Sequence, residues 1–196
     1  MSAVIETASL VGAYLIGGCS PGYWLVRWRT HDDVRTHGSG GTGATNVGRV
    51  LGKGGYATVL VLDAAKGALA VLLARKLQLG EAWVWACAVA AVAGHVWPPQ
   101  LGFRGGRGMS TLLGAWLVLA PLALLPCAVF MLLVMPLIRK FVLSGLCGIC
   151  LLPAASWWAS AGSLAATLAA AACSLVVLFA HRRHLRDWLR PSPVSN

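Results

Sequence analysis

Apolar residues in this chain fall in long, nearly unbroken blocks, without the period-two alternation of a half-buried strand or the polar stripe of a surface helix. A hydrocarbon core of roughly 30 Å asks for about 20 apolar residues in a crossing helix. Residues 8–26, 56–74 and 82–96 each supply one helix, the last closed by Pro98 and Pro99. No Lys or Arg precedes the first block, so it reads as an uncleaved span, not a leader peptide. The blocks 110–138 and 142–180 are too long for one relaxed span. Pro121 and Pro126 divide the first, and Pro153 with the run from Ser160 to Ser163 divides the second, so each reads as a hairpin of two spans. The pattern predicts an all-α integral membrane protein of seven transmembrane helices, a single domain over 1–196, with a flexible basic tail from 185 to 196.

Composition agrees, with 58% hydrophobic and only 11% charged residues. The charge that remains is one-sided, 16 Lys+Arg against 6 Asp+Glu for a formal net charge of +10. In a soluble protein that excess would point to nucleic acid; in a membrane chain it encodes orientation. Seven spans place Arg27, Arg29, Arg35, Arg49, Lys53, Arg104, Arg107, Arg139, Lys140, Arg182, Arg183, Arg186 and Arg190 on one face, thirteen of the sixteen. The positive-inside rule makes that face cytoplasmic, the N-terminus external and the C-terminus internal. Trp83, Trp85, Trp157 and Trp158 then form an outer aromatic belt, and Trp24, Trp28, Trp97 and Trp188 an inner one. The six cysteines lie in apolar stretches and read as reduced, buried residues, including the pair Cys147 and Cys150.

The polar chemistry gathers at the basic face. All five histidines fall on or near it, as do two glycine-rich segments, whereas a transporter more often places its binding groups near the midplane. The first segment, residues 38–49, reads GSGGTGATNVGR. It satisfies GxGxxG at Gly38, Gly40 and Gly43, yet no strand precedes it, which argues against a dinucleotide fold. Glycine-rich backbone can turn successive amides toward one anion, and Ser39, Gly40, Thr42, Thr45, Asn46 and Arg49 surround that position with donors. The second segment, FRGGRG at 103–108, brackets Arg107 with Gly105, Gly106 and Gly108 where a helix should begin, a favourable place for phosphate. Asp63 and Lys66, three residues apart, share a face of the second span, either as substrate-binding groups or as mutually neutralised glue. His95, His181 and His184 complete the set of titratable candidates.

These blocks, SGGTGATNVGR, DAAKG at 63–67, Gly94-His95 with Pro98, and FRGGRG, resemble in order and spacing those of the bacterial acyl-phosphate glycerol-3-phosphate acyltransferases, the PlsY family, from about residue 10 to 188. The resemblance implies a multi-pass enzyme of the bacterial inner membrane with its site on the cytoplasmic face. It would move a fatty acyl group from acyl phosphate to the 1-hydroxyl of glycerol 3-phosphate, without metal or cofactor, in phospholipid synthesis. The implied partners are the two substrates, membrane lipid and a soluble enzyme that makes acyl phosphate. Ser39 and Arg49 map onto the residues that hold substrate phosphate, Arg107 onto the lysine of a GGKG motif, and His181 onto the histidine of His-Arg-x-Asn.

The chain departs from the family where Gly41 replaces an asparagine, Arg107 replaces lysine, His184 replaces asparagine, and Leu143 followed by Ser144 stands near an expected Tyr-Val-Ser. Two alternatives stay open on these residues: an acyltransferase for another acceptor, and a small transporter of a phosphorylated solute. The general base is open as well, among His95, His181 and a substrate phosphate.

Overall fold

The first apolar block breaks at Cys19 and Ser20, just before Pro21. In the computed structural model, which describes residues 3–189, α1 (Ala3–Gly18) ends there and α2 (Pro21–Thr30) restarts with proline in its first turn. The sequence pattern had joined the two as one span; the proline lacks an amide to continue the ladder, and carbonyls at this break accept from distant side chains. Gly18 O accepts from Gln100 Nε2 at 2.5 Å and Cys19 O from Lys66 Nζ at 2.6 Å.

Next comes α3 (Ala44–Lys76), the longest helix, interrupted at Gly52. It returns through α4 (Glu81–Val96), after which the glycine loop leads into α5 (Met109–Leu119). The two long blocks divide where their prolines and turn residues predicted. α6 (Leu124–Ile138) follows the break at Ala120–Ala123, and α9 (Leu164–Ala180) follows Ser163, whose hydroxyl caps it by accepting from the Ala166 amide at 3.2 Å. Between them lie α7 (Phe141–Cys150) and α8 (Leu152–Ala159), bent by 49° at the turn preceding Pro153. α10 (Arg182–Leu189) turns away from α9 by 60°, so the stretch expected as a flexible tail is helical as far as Leu189; 190–196 lie outside the described residues.

Among the described residues there is no strand. By length and composition three stretches suffice to cross a membrane, Ala3–Thr30, Ala44–Lys76 and Pro121–Ile138, and up to five if each bent pair counts as one. At 1.5 Å per residue α4 reaches about 24 Å and α5 about 16 Å.

The helices pack on small residues. Gly67 of α3 sits on the Thr111 carbonyl, and Gly114 of α5 on the Ala64 carbonyl, so neither position has room for a Cβ. α4 is the central element, packed against α1, α3, α5 and α9. Trp116 is fully buried, its ring 5.7 Å from that of Trp85 and its Nε1 donating to Ser156 Oγ at 2.9 Å. Trp85 is thus a core residue instead of a belt residue, held by Trp116 and by the Glu81 carboxylate. Trp24, Trp28, Trp157, Trp158 and Trp188 are exposed. All six cysteines are free, but only Cys87, Cys127 and Cys173 are buried; Cys19, at the break after α1, and Cys150, at the end of α7, are exposed.

Candidate active site

Asn46 organises the first glycine loop. It is 2% exposed, and its Nδ2 lies 2.8, 3.0 and 2.9 Å from the carbonyls of Val34, His37 and Gly41, while its Oδ1 accepts from the Ser39 amide at 3.0 Å. Those polar atoms are spent inside the protein, where Asn46 holds the loop in shape. Gly40 closes the turn by donating to His37 O at 2.9 Å. Val34, Val47 and Val59 form a small apolar cluster that seats the loop on α2 and α3.

The second loop is stitched to the first and to α4. Thr42 N donates to Gly105 O at 3.3 Å, and Arg107 Nη2 reaches Ser39 O at 3.4 Å. Arg35, itself paired with Asp33 at 2.7 Å, donates to Leu101 O at 2.8 Å. The amides of Gly105 and Gly106 donate to Val96 O and His95 O at 3.1 and 3.0 Å, so they are not available to a ligand. Free amides open α5 after Gly108, where the first turn of a helix has no internal acceptors.

His95 lies under this loop. It is 3% exposed, its ring fills the place where a Cβ on Gly106 would project, and its Nδ1 faces Asp63 Oδ1 at 3.4 Å. The same carboxylate oxygen is 2.9 Å from Lys66 Nζ. Asp63 and Lys66 are 1% and 6% exposed, so the expected pairing is present, but as a buried brace joining α1, α3 and α4. They meet the second glycine loop through His95.

His181 terminates α9. Its Nδ1 lies 2.8 Å from Val177 O, which can only accept, so Nδ1 carries the hydrogen and Nε2 keeps its lone pair. Burial is the main cause that drives its pKa down to about 4, with the Arg107 guanidinium adding to the effect, and the ring is therefore neutral near pH 7. Val177 also touches the Cβ position of Gly108, which places His181 beside the start of α5. Burial and then Arg49 lower the Arg107 pKa, yet from so high a starting value that the guanidinium stays charged. Burial and then Arg107 lower the pKa of His184, with Lys140 and Arg49 contributing. Arg49, Arg107, Lys140, His181 and His184 thus form one basic cluster.

Lys140 is the member that sequence reading counted only for orientation. Its position just before α7 was visible, but its approach to the site depends on the α6–α7 hairpin, whose Gly145 lies beside Met109. The Ser144 hydroxyl donates to Lys140 O at 3.2 Å, and Leu143 is buried in the core. Ser39, Thr45 and Arg49 keep their side chains at the loop surface, with Arg49 lying against Gly38. Among the described residues no group of three His, Cys, Asp or Glu side chains could hold a metal ion.

The arrangement offers two guanidinium groups, a neutral histidine and a helix N-terminus around glycine loops at one end of an apolar bundle. That is a set of donors for phosphate and for a developing oxyanion.

Comparison with known proteins points the same way. The sequence model described as glycerol-3-phosphate acyltransferase matches residues 7–190. "Glycerol-3-phosphate acyltransferase 1" of Desulfitobacterium hafniense (strain Y51) is 43% identical over 189 residues, covering 96% of this chain and 93% of that one. A glycerol-3-phosphate acyltransferase of Synechococcus sp. (strain JA-2-3B'a(2-13)) is 44% identical, covering 94% and 91%. Among solved structures, PlsY (YgiH), an integral membrane glycerol 3-phosphate acyltransferase in its glycerol 3-phosphate form, superposes with a TM-score of 0.85 at 26% identity over 94% of this chain and 92% of that chain.

Proposed function

The chain belongs to the glycerol-3-phosphate acyltransferase family, and from that premise we propose that it acylates the 1-hydroxyl of glycerol 3-phosphate, giving lysophosphatidic acid in phospholipid synthesis. The donor is acyl phosphate, supplied by a soluble enzyme that makes it. The observation that carries the reading is the joining of two cation-bearing glycine loops, through Arg107 to Ser39 and Thr42 to Gly105, in a chain that matches the family over nearly its full length.

In this reading the protein crosses the bacterial inner membrane seven times as a single domain, with α4 and α5 as short crossings and α7 with α8 as one bent crossing. The basic face and the site are cytoplasmic. The count of thirteen basic residues on that face supports the orientation.

Acyl phosphate is a mixed anhydride, so the reaction needs positioning and charge neutralisation more than activation. The acceptor hydroxyl attacks the acyl carbonyl carbon. A new C–O ester bond forms, the bond from that carbon to the phosphate oxygen breaks, and inorganic phosphate departs. Arg107 and the first amides of α5 stabilise the departing phosphate and the oxyanion. His181 Nε2 takes the hydrogen bond of the attacking hydroxyl, and the proton leaves with the phosphate. Ser39 and Arg49 hold the acceptor's phosphate. An apolar cleft of about 360 Å³ lined by α1, α3 and α4, from Ile16 and Ala70 out to Val4 and Leu77, suits the acyl chain.

Purified protein in detergent, given acyl phosphate and glycerol 3-phosphate, is expected to release phosphate and lysophosphatidic acid in equal amounts. Folded protein with no acceptor-dependent turnover would sink this assignment.

A further inference from the structure

The break in α3 builds a pocket beside Arg49, lined on its other side by a cation, Lys53, to which the reaction so far described gives no part. Gly52 has φ 71° and ψ −166°, a backbone region essentially restricted to glycine. In a straight helix Gly48 and Tyr56 would stand about 12 Å apart along the axis. Here the chain folds so sharply that a Cβ on Gly48 would lie 2.9 Å from Tyr56 Cβ. In the angle between the two halves is a cavity of about 280 Å³ lined by Thr45, Gly48, Arg49, Gly52, Lys53 and Tyr56. It holds two cations and two hydroxyls and no carboxylate. Among the described residues neither Arg49 nor Lys53 has a salt-bridge partner.

We propose that this elbow is a phosphate-monoester site, with Lys53 as a substrate-binding residue beside Arg49 and with the hydroxyls of Thr45 and Tyr56 as further donors. Two unneutralised cations match the charge of a phosphate monoester, and a lysine supplies a point charge that needs no fixed fork. The volume lies at the small end for ligand pockets, which fits a phosphorylated three-carbon polyol and excludes an acyl chain. The inference rests on the acyltransferase reading for the identity of the ligand. Its consequence is a division of labour: Arg49 and Lys53 hold the acceptor's phosphate, while Arg107 handles the phosphate that leaves.

The test is Lys53→Met in the full-length protein, an exposed position where the fold should survive, with the melting temperature as the check. The KM for glycerol 3-phosphate is expected to rise about tenfold, with kcat within about twofold and the KM for acyl phosphate unchanged; Lys53→Arg should recover most of the loss. An unchanged KM for glycerol 3-phosphate, or an equal rise in both KM values, overturns the proposal. A second readout needs no turnover. Millimolar glycerol 3-phosphate should raise the melting temperature of the wild type clearly more than that of Lys53→Met, whereas phosphatidylglycerol micelles, carrying a diester, should act equally on both. Absence of a shift in the wild type overturns the pocket, and so does a lipid effect that depends on Lys53. Should turnover be absent but the Lys53-dependent shift present, the pocket stands and the acyltransferase reading alone falls.

Discussion

The Asp63 carboxylate and the His95 imidazole face each other at 3.4 Å, Oδ1 to Nδ1, across the contact between α3 and α4. The same oxygen pairs with Lys66, so one buried anion serves two partners. Removing it by Asp63→Leu leaves the Lys66 ammonium with only the Cys19 carbonyl. The expected loss is about 3–5 kcal/mol, because an uncompensated buried charge costs more than the pair contributes. The double variant Asp63→Leu/Lys66→Met should be the more stable of the two, read as the unfolding midpoint in detergent. A double variant no better than the single one would mean that the pair is not a unit.

Gly106 carries a second prediction. A methyl group there would overlap the His95 ring, and the backbone at this point is tied to His95 O and followed at once by Arg107. Gly106→Ala must push either the imidazole or the loop, which moves Arg107 relative to Ser39. Turnover should fall about a hundredfold, since a displacement of about 1 Å at a charge-stabilising group costs that order. Melting temperature should fall by only a few degrees. Wild-type kcat with the alanine in place would show that this loop does not position the chemistry.

The breaks near Pro121 and before Ser163, and both glycine loops, were legible in the sequence because proline, serine and glycine act on the backbone locally. The Asp63–Lys66 pair was legible from its spacing. What could not be read were the uses of atoms settled by remote partners. Nothing local says that the Asn46 amide is consumed by Val34, His37 and Gly41, or that Gly105 and Gly106 donate back to the end of α4. Nothing local to Gly52 says that the chain turns there sharply enough to set Tyr56 against Gly48. Trp85 was assigned to the membrane interface because its partner, Trp116, lies on another helix. The chemistry was visible as residue types, and its division into scaffold and ligand-facing groups was not.

His181 makes the protein's acid response specific. Its folded pKa, about 4, lies below the ordinary value of 6.5. Between these values the unfolded chain binds a proton that the folded protein does not, so this residue's contribution to stability is complete above pH 6.5 and is lost as pH falls toward 4. The unfolding midpoint should drop across that window, and His181→Gln should remove this part of the slope. As the group that receives the acceptor's hydrogen bond, neutral His181 should also keep kcat at saturating substrates flat down to about pH 5, with a loss of about a hundredfold in the glutamine variant. An acid limb centred near 6.5 would assign the role to another histidine.

The apolar cleft gives a chain-length test. Gly12 lines it, and a Cβ there would meet nothing within 4 Å. Gly12→Leu should fill the cleft without straining α1. Long-chain acyl phosphates should then lose about tenfold in kcat/KM relative to short ones, as a few displaced methylenes at about 0.8 kcal/mol each would give. Equal effects on all chain lengths would place the acyl chain elsewhere.

The last prediction concerns Arg107 and Gly41 together. Arg107 Nη2 reaches Ser39 O at 3.4 Å, and a Cβ on Gly41 would stand 3.9 Å from Ser39 Oγ and 3.6 Å from Gly105 O. A side chain at 41 therefore enters the gap between the loops that the guanidinium uses, and the absence of one makes room for a fork in place of the slimmer lysine. Gly41→Asn alone should crowd Arg107 and lower turnover about tenfold, whereas Arg107→Lys alone should loosen the tie to Ser39. The double variant Gly41→Asn/Arg107→Lys should recover activity beyond what the single effects add up to, since residues in contact couple by about 0.5–3 kcal/mol. Initial rates of the four proteins under saturating acyl phosphate decide it, and strictly additive losses would mean that the two positions change independently of each other.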